Sequence, residues 1–378
     1  MLTVLVVYRY REAMDAGDTD NILLKLTPAE MYDICKKASE KICSGDRKRF
    51  IDETMPELGD GIKYYNNRRV EKEMVAEVDR LLAEAKPSPS PEAQTALDRF
   101  DVDVFFSRGR RVRMEDRHVI MEDFNNMMDQ PAGTEPQAFF AVYDGHGGYE
   151  TAKYVQAHLH HNIAAHPDFH TDIKKALHEA FLSTDKSFEA KADREALRSG
   201  STAVVAFVRG RKLYLAWAGD SQAMLIKNGE PHHLTEPHKP EREDEKKRIA
   251  DAGGIVINRM GTWRVNAMLA VSRSFGDMNL KSVVPALPDI VEQDLDASCE
   301  YLILACDGLW DFMEKEKVVS FIKEWEEAHK DDGKKGIYGL SKSLVEHCID
   351  THEGTDNVSI IVVKLKNLDK DIWTSASA

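Results

Sequence analysis

The chain has 378 residues, 51 of them basic and 65 acidic, for a formal charge of -14, and 42% are hydrophobic. That is enough apolar material for a substantial core, and the acidic balance argues against a general nucleic-acid binder, which must neutralise phosphates with Lys and Arg. No apolar run reaches the roughly 20 residues of a membrane span, so no membrane partner is expected.

The apolar start Met1–Val7 has no basic residues before it and no small-residue cleavage site after it, so it does not read as a signal peptide. The five cysteines, Cys35, Cys43, Cys299, Cys306 and Cys348, are odd in number and widely spaced. They read as free thiols of a reducing compartment. A cytoplasmic location, with access to the nucleus open, is the default expectation.

The first third reads as helical. Thr27, Pro28 and Glu30 form a capping-box start with proline at the first helical position. Met31, Ile34, Cys35, Ala38 and Ile42 recur at helical spacing, and so do Val70, Met74, Val75, Val78, Leu81 and Leu82. Two such stripes need a partner surface, which predicts a small helical domain over residues 1–95 with no catalytic equipment. The run Lys86-Pro-Ser-Pro-Ser-Pro91 then stops both helix and inner strand and marks the boundary.

Beyond it the texture changes. Phe139–Tyr143, Thr202–Val208, Leu213–Trp217, Tyr301–Ala305 and Val358–Lys364 read as strands, rich in β-branched and aromatic residues and bounded by turn residues. Several are almost continuously apolar, which predicts burial on both faces. Helical stretches fall near Glu150–Asn162, Asp172–Phe188, Arg242–Ala252, Lys315–Ala328 and Ile337–Asp350. The expected class is α+β, with helices covering a sheet sandwich over residues 96–366, and a loose tail over 367–378.

Carboxylates recur where apolar strands end. Tyr143 leads into Asp144-Gly-His-Gly-Gly148, Ala218 into Gly219-Asp220-Ser221, and Cys306 into Asp307-Gly-Leu-Trp-Asp311; Thr355-Asp356-Asn357 precedes the last strand. A lone Asp-Gly after a strand is usually a turn. Several together, each on a rigid strand end, suit the placing of ligands around an ion. Oxygen donors without His or Cys clusters point to Mg²⁺ or Mn²⁺. Two such ions suit hydrolysis of phosphate esters, by activating a water and stabilising the attacking and leaving oxygens. An arginine can clamp the phosphate, and a histidine can protonate the leaving oxygen.

Taken with Arg111-Val-Arg-Met-Glu-Asp116, Gly200-Ser-Thr-Ala-Val204, His238-Lys-Pro240, Ala252-Gly-Gly254, Leu269–Asp277 and Pro288-Asp289, these segments resemble in order the metal-dependent PP2C (PPM) family of protein phosphatases over roughly residues 100–365. The resemblance implies a central antiparallel β-sandwich flanked by helix pairs, with metals in a cleft at one end. It implies direct hydrolysis of phosphoserine and phosphothreonine on proteins by water activated at two Mg²⁺ or Mn²⁺ ions, with a weaker third ion. Asp144 would bridge both ions and the Gly145 carbonyl would complete one site. Asp307 and Asp356 would hold the other ion. Glu115, acting through a bound water, and Asp116 would sit close by, and Asp220 and Asp311 match the weaker third site. Arg111 would hold the phosphate and His146 would act as general acid. Arg273 and Asp277 read as structural or substrate-proximal. One departure is Ala267, where the family usually has glycine; no metal or phosphate position is altered.

The helical extension and Phe50–Glu57 are similar to the branch that holds calmodulin-dependent-kinase phosphatases, kinase-partner phosphatases and the nematode sex-determination phosphatase. This implies that residues 1–95 bind a regulatory or substrate protein. Two rival readings are weaker. A pure scaffold has no use for the intact carboxylate set, and a metal-dependent nuclease does not suit the charge of -14. The cluster His158, His160 and His161 reads as a partly exposed helix face, and Cys306, with no Cys-x5-Arg loop around it, as a buried structural thiol.

Overall fold

The computed structural model describes residues 28–45, 67–85, 99–131, 133–330, 336–352 and 355–373. The apolar start, the Thr27 cap, residues 50–57 and the proline boundary at 86–91 lie outside the described residues. The chain divides into two compact units, Met1–Leu97 and Asp98–Ala378. Among the described residues no helix is long and apolar enough to cross a membrane.

In the first unit, helices Pro28–Ser44 and Asn67–Glu84 pack their apolar stripes together. Ile34, Cys35 and Ala38 meet Val78 and Leu82, with Met74 and Leu81 at the margin. Lys41 closes the contact with an ion pair to Glu77 at 2.7 Å.

The second unit is built on two five-stranded antiparallel sheets. One runs Phe100–Ser107, Val358–Leu365, Cys299–Ala305, Gln222–Lys227, Glu230–His233. The other runs Asp289–Asp294, Lys212–Ala218, Ala203–Arg209, Gln137–Tyr143, Arg117–Met121. Their facing sides share one core, in which Phe140, Val142, Val204 and Leu215 meet Leu225, Leu302, Leu304 and Ile361. Strands buried on both faces need helices outside. Lys315–His329 and Leu340–His352 cover the first sheet, where Val318, Ile322, Leu344 and Cys348 pack on Ile303, Ile360 and Val362. Glu150–Ala164 and Ile173–Glu195 pack on each other and on the second sheet. This is the α+β sandwich with helix pairs expected from the sequence.

The structure adds strands that the apolar pattern did not announce. Phe100–Ser107 carries Asp101 and Asp103, which hide it from a search for apolar runs. Both acids are satisfied: Asp103 accepts the Ser341 N–H at 2.8 Å, and Asp101 pairs with Lys366 at 2.7 Å. The tail expected to be loose from residue 367 is instead anchored as far as Trp373. That indole is fully buried, stacks edge-on against Phe100 at 5.1 Å and donates to the Lys366 carbonyl at 2.9 Å. A side chain of that size supplies enough buried apolar surface to hold a short segment down. In the histidine cluster, His160 is buried while His158 and His161 are exposed. The described cysteines, Cys35, Cys299, Cys306 and Cys348, are free and buried.

Candidate metal centre

The strand register explains why distant carboxylates meet. Tyr143 pairs with Arg117, so Asp144 and Asp116 leave the same end of the second sheet. Ala218 pairs with Ala203, and the chain then crosses through Gly219-Asp220 to the first sheet, where Gln222 pairs with Ala305. Ala305 also pairs with Ile360, which places Asp307 and Asp356 at that same end. The junction is tied by hydrogen bonds. Thr202 N–H donates to the Asp144 carbonyl at 2.9 Å, and the Thr202 and Ser221 hydroxyls bond at 2.7 Å. His238 exchanges backbone contacts with Gly219, its N–H donating to the Gly219 carbonyl and its Nδ1 accepting the Gly219 N–H at 3.2 Å.

The result is a cavity of about 540 Å³ lined by Arg111, Glu115, Asp144, Gly145, His146, Asp220, Asp307 and Asp356, with Arg264 and Leu269–Val271 on its rim. Of the residues singled out in the sequence, Asp116 and Asp311 do not line it. Asp116 lies beneath, 3% exposed, with Oδ2 accepting from Ser359 at 2.8 Å. Asp311 is exposed, and its charge reaches Asp307 and Asp220. Gly145 is needed for close approach: a Cβ there would stand 2.4 Å from the Glu115 carbonyl oxygen.

This set suits hard cations. Burial pushes the Asp144 carboxyl well above its ordinary range, and the charges of Asp116, Asp307, Asp220 and Asp356 push it further. Asp307 is pushed up to about 7 by burial and by Asp220 and Asp311, against the pull of Lys239. Asp116 Oδ1 is buried with no hydrogen-bond partner among the described residues. Carboxylates crowded this way lack positive charge, which divalent ions supply. Ligand atoms of Asp144, Asp307 and Cys306 lie within 4.8 Å of one another. Cys306 is nonetheless a poor donor. Burial, then the surrounding aspartates, push its thiol well up, and it is engaged by the Asn357 carbonyl at 3.4 Å and the Ser359 N–H at 3.2 Å.

Among the described residues, two cations already touch the cluster. Lys239 pairs with Asp220, and exposed Arg111 pairs with Asp356 at the cavity wall. Asn357 holds this side together. Its Oδ1 accepts the Glu115 N–H at 2.8 Å, and its Nδ2 donates to the carbonyls of Arg108 at 3.1 Å and Arg113 at 2.9 Å. One amide therefore fixes the loop that carries Arg111 and the backbone of Glu115. Only the Asp356-Asn357 pair hinted at this in the sequence. His146 bonds through Nε2 to Asp277 at 2.7 Å. Burial lowers its pKa, but the bond and charge of Asp277, with Asp220 and Glu115 beyond, hold it above the ordinary value.

The model of the family described as "Protein phosphatase 2C" matches residues 100–357. The chain belongs to the protein phosphatase 2C family. Mouse protein phosphatase 1E is 41% identical over 279 residues, covering 73% of this chain and 36% of that protein. Human protein phosphatase 1F is 41% identical over 268 residues, covering 70% of this chain and 57% of that protein. The chain thus spans well under two thirds of the length of these phosphatase 2C relatives. Among solved structures, a Caenorhabditis elegans sex-determining protein superposes with a TM-score of 0.74 over 94% of this chain and 88% of its own, at 22% identity. A Toxoplasma gondii serine-threonine phosphatase 2C gives 0.63 over 74% and 96%, at 21% identity. At these identities the structural likeness establishes the phosphatase 2C fold. Metal dependence is general to the family.

Proposed function

We propose that this chain hydrolyses phosphoserine and phosphothreonine on proteins with the help of two Mg²⁺ or Mn²⁺ ions. The observation that carries the reading is a set of carboxylates, from separate strand ends, crowded around one cavity that also presents an arginine and a histidine. Asp144 would hold both ions with the Gly145 carbonyl, and Asp307 and Asp356 would hold one of them. Glu115 and Asp116 would hold the surrounding water and ligand geometry, and Asp220 and Asp311 a weaker third ion. When bound, the ions supply a nucleophilic water and offset the charge of the phosphoryl oxygens.

The remaining work belongs to side chains. Arg111 sits on an exposed loop braced by Asn357, so its guanidinium can leave Asp356 and take a phosphate through paired N–H donors. His146 can give a proton to the seryl oxygen as the P–O bond breaks. The helical unit, residues 1–95, recruits a regulatory or substrate protein.

Turnover of a phosphoserine peptide should require Mn²⁺ or Mg²⁺ and be lost on chelation. Asp144→Ala should reduce it by at least ~10³-fold, since charge stabilisation of the transition state collapses with the ions. Near-normal rates in that variant would refute the assignment. Removing residues 1–95 should leave peptide turnover intact while abolishing capture of a protein partner by the full chain.

A further inference from the structure

His146 is the second residue of a two-residue strand, Gly145–His146, in a small sheet ordered Phe275–Gly276, Gly200–Ser201, Gly145–His146. Gly200, on the central strand, is the register partner of both His146 and Gly276. Asp277 follows Gly276 immediately. His146 and Asp277 therefore approach from opposite sides of Gly200 and meet above it. A Cβ at Gly200 would lie 2.1 Å from Asp277 Oδ2 and 2.2 Å from His146 Nε2. No side chain larger than hydrogen is compatible with this pair.

Asp277 is itself held in place. Its backbone has φ +49°, a left-handed conformation that is uncommon outside glycine and that aspartate tolerates better than most residues. Its N–H donates to the Ser199 carbonyl at 3.2 Å, and the Ser274 hydroxyl donates to the same Oδ2 that meets His146, at 2.5 Å. The preceding Gly276 is clamped by Asp185, whose Oδ1 accepts its N–H at 2.8 Å and which pairs with Lys281 at 2.8 Å.

We infer that Asp277 is the positioning residue of the general acid. With Nε2 committed to Asp277, Nδ1 is the ring nitrogen left to face a bound phosphate ester. The carboxylate fixes which nitrogen carries the transferable proton and which way it points, as an orienting acid does for a catalytic imidazole. In the step itself water adds to phosphorus, the P–O bond to the seryl oxygen breaks, and the electron pair stays on that oxygen. The proton on His146 Nδ1 moves to it, and the imidazole is reprotonated from solvent. Ser274 and Gly200 serve the same arrangement, one by bracing the carboxylate and the other by leaving it room.

This inference rests on the phosphatase reading above, and leaving-group dependence separates the two. An alkoxide leaving group needs the acid, whereas an activated aryl phosphate does not. The readout is the ratio of turnover on a phosphoserine peptide to turnover on p-nitrophenyl phosphate, both with Mn²⁺ on one preparation. The fraction of folded enzyme cancels in that ratio.

His146→Ala should lower the ratio by ~10²-fold, the usual worth of a general acid. Asp277→Ala and Gly200→Ala should lower it nearly as far. Asp277→Asn, which keeps the shape but not the charge of the carboxylate and can turn its amide N–H toward Nε2, should stay nearly as low as Asp277→Ala. If His146→Ala lowers the ratio while Asp277→Ala depresses both substrates equally, Asp277 is merely structural and the inference falls. It falls equally if Asp277→Asn keeps the wild-type ratio. If His146→Ala leaves the ratio unchanged, the acid assignment fails, and the role of Asp277 with it.

Discussion

Glu245 and Asp116 are about equally buried, 1% and 3% exposed, yet their carboxyls are displaced in opposite directions from the ordinary value. Glu245 accepts N–H bonds from Arg273 at 3.0 and 2.6 Å and from Arg248 at 2.8 Å. Burial alone would raise its pKa, but the arginines prevail and hold it at about 2. Arg273 also reaches Asp289 at 2.8 Å, and His238 and Arg273 together hold that carboxyl well below the usual range. Asp116 is pushed up to about 6, by burial first and Asp356 in part. Its neighbours Asp144 and Asp307 rise as well. Among the described residues the ion pairs that reach the cavity end on Asp220 and Asp356, not on Asp116, Asp144 or Asp307. Among the described residues the fold neutralises one acidic cluster with its own arginines and leaves Asp116, Asp144 and Asp307 of the other without an ion-pair partner. Incomplete internal compensation is the mark of the site.

The largest test of that contrast is Arg273→Ala. It takes one of their partners from Glu245 and Asp289, which keep Arg248 and His238, and should cost about 2–3 kcal/mol in urea unfolding with Mn²⁺ present. A negligible change would end the claim that this cluster is self-contained. Asp144→Asn should act with the opposite sign in metal-free protein, raising its Tm as burial of a charge and mutual repulsion are relieved. Mn²⁺ should raise the Tm of wild type, because an ion that binds the native state stabilises it by mass action, and the same variant should lose most of that rise.

The pH dependence of unfolding sharpens the comparison further. In metal-free protein the native Asp307 carboxyl, at about 7 against an ordinary 3.8, keeps a proton that the unfolded chain releases. Stability should therefore decline as pH rises from about 4 to about 7. Glu245, at about 2 against 4.5, works the other way: its contribution is full above about pH 4.5 and is lost as pH falls toward 2. Excess Mn²⁺ should erase the first trend and spare the second.

The smallest expected effect is local. Ala267 stands at φ +60° beside Asn266 at +48°, the region that the usual glycine of this position tolerates. Ala267→Gly should stabilise the chain by about 1 kcal/mol by thermal melting, the cost of a left-handed alanine less the added freedom of the unfolded glycine.

Much of the sandwich was legible because its central strands are continuous apolar runs and its aspartates stand where those runs stop. Asp144, Asp307 and Asp356 could be named together for that reason. Their convergence is a matter of register between strands far apart in sequence, which no local pattern encodes. The His146–Asp277 pair was harder still. It depends on three two-residue strands, too short to show any periodicity, and on a glycine whose significance appears only when two neighbours meet over it. Asp101 and Asp103 concealed a strand by placing charge where alternation predicts none, and the buried Trp373 lay in a stretch whose polar composition suggested solvent.

That last residue shapes how the second unit relates to its own described ends. Phe100 opens the first strand and Trp373 closes the described chain, with their rings in edge contact and Arg99 lying over both faces at 5.1 and 5.7 Å. The sandwich is thus a loop of polypeptide clasped at its beginning and its finish. Residues 99 and 373 therefore stand side by side, so a substitution at either one is felt at the other.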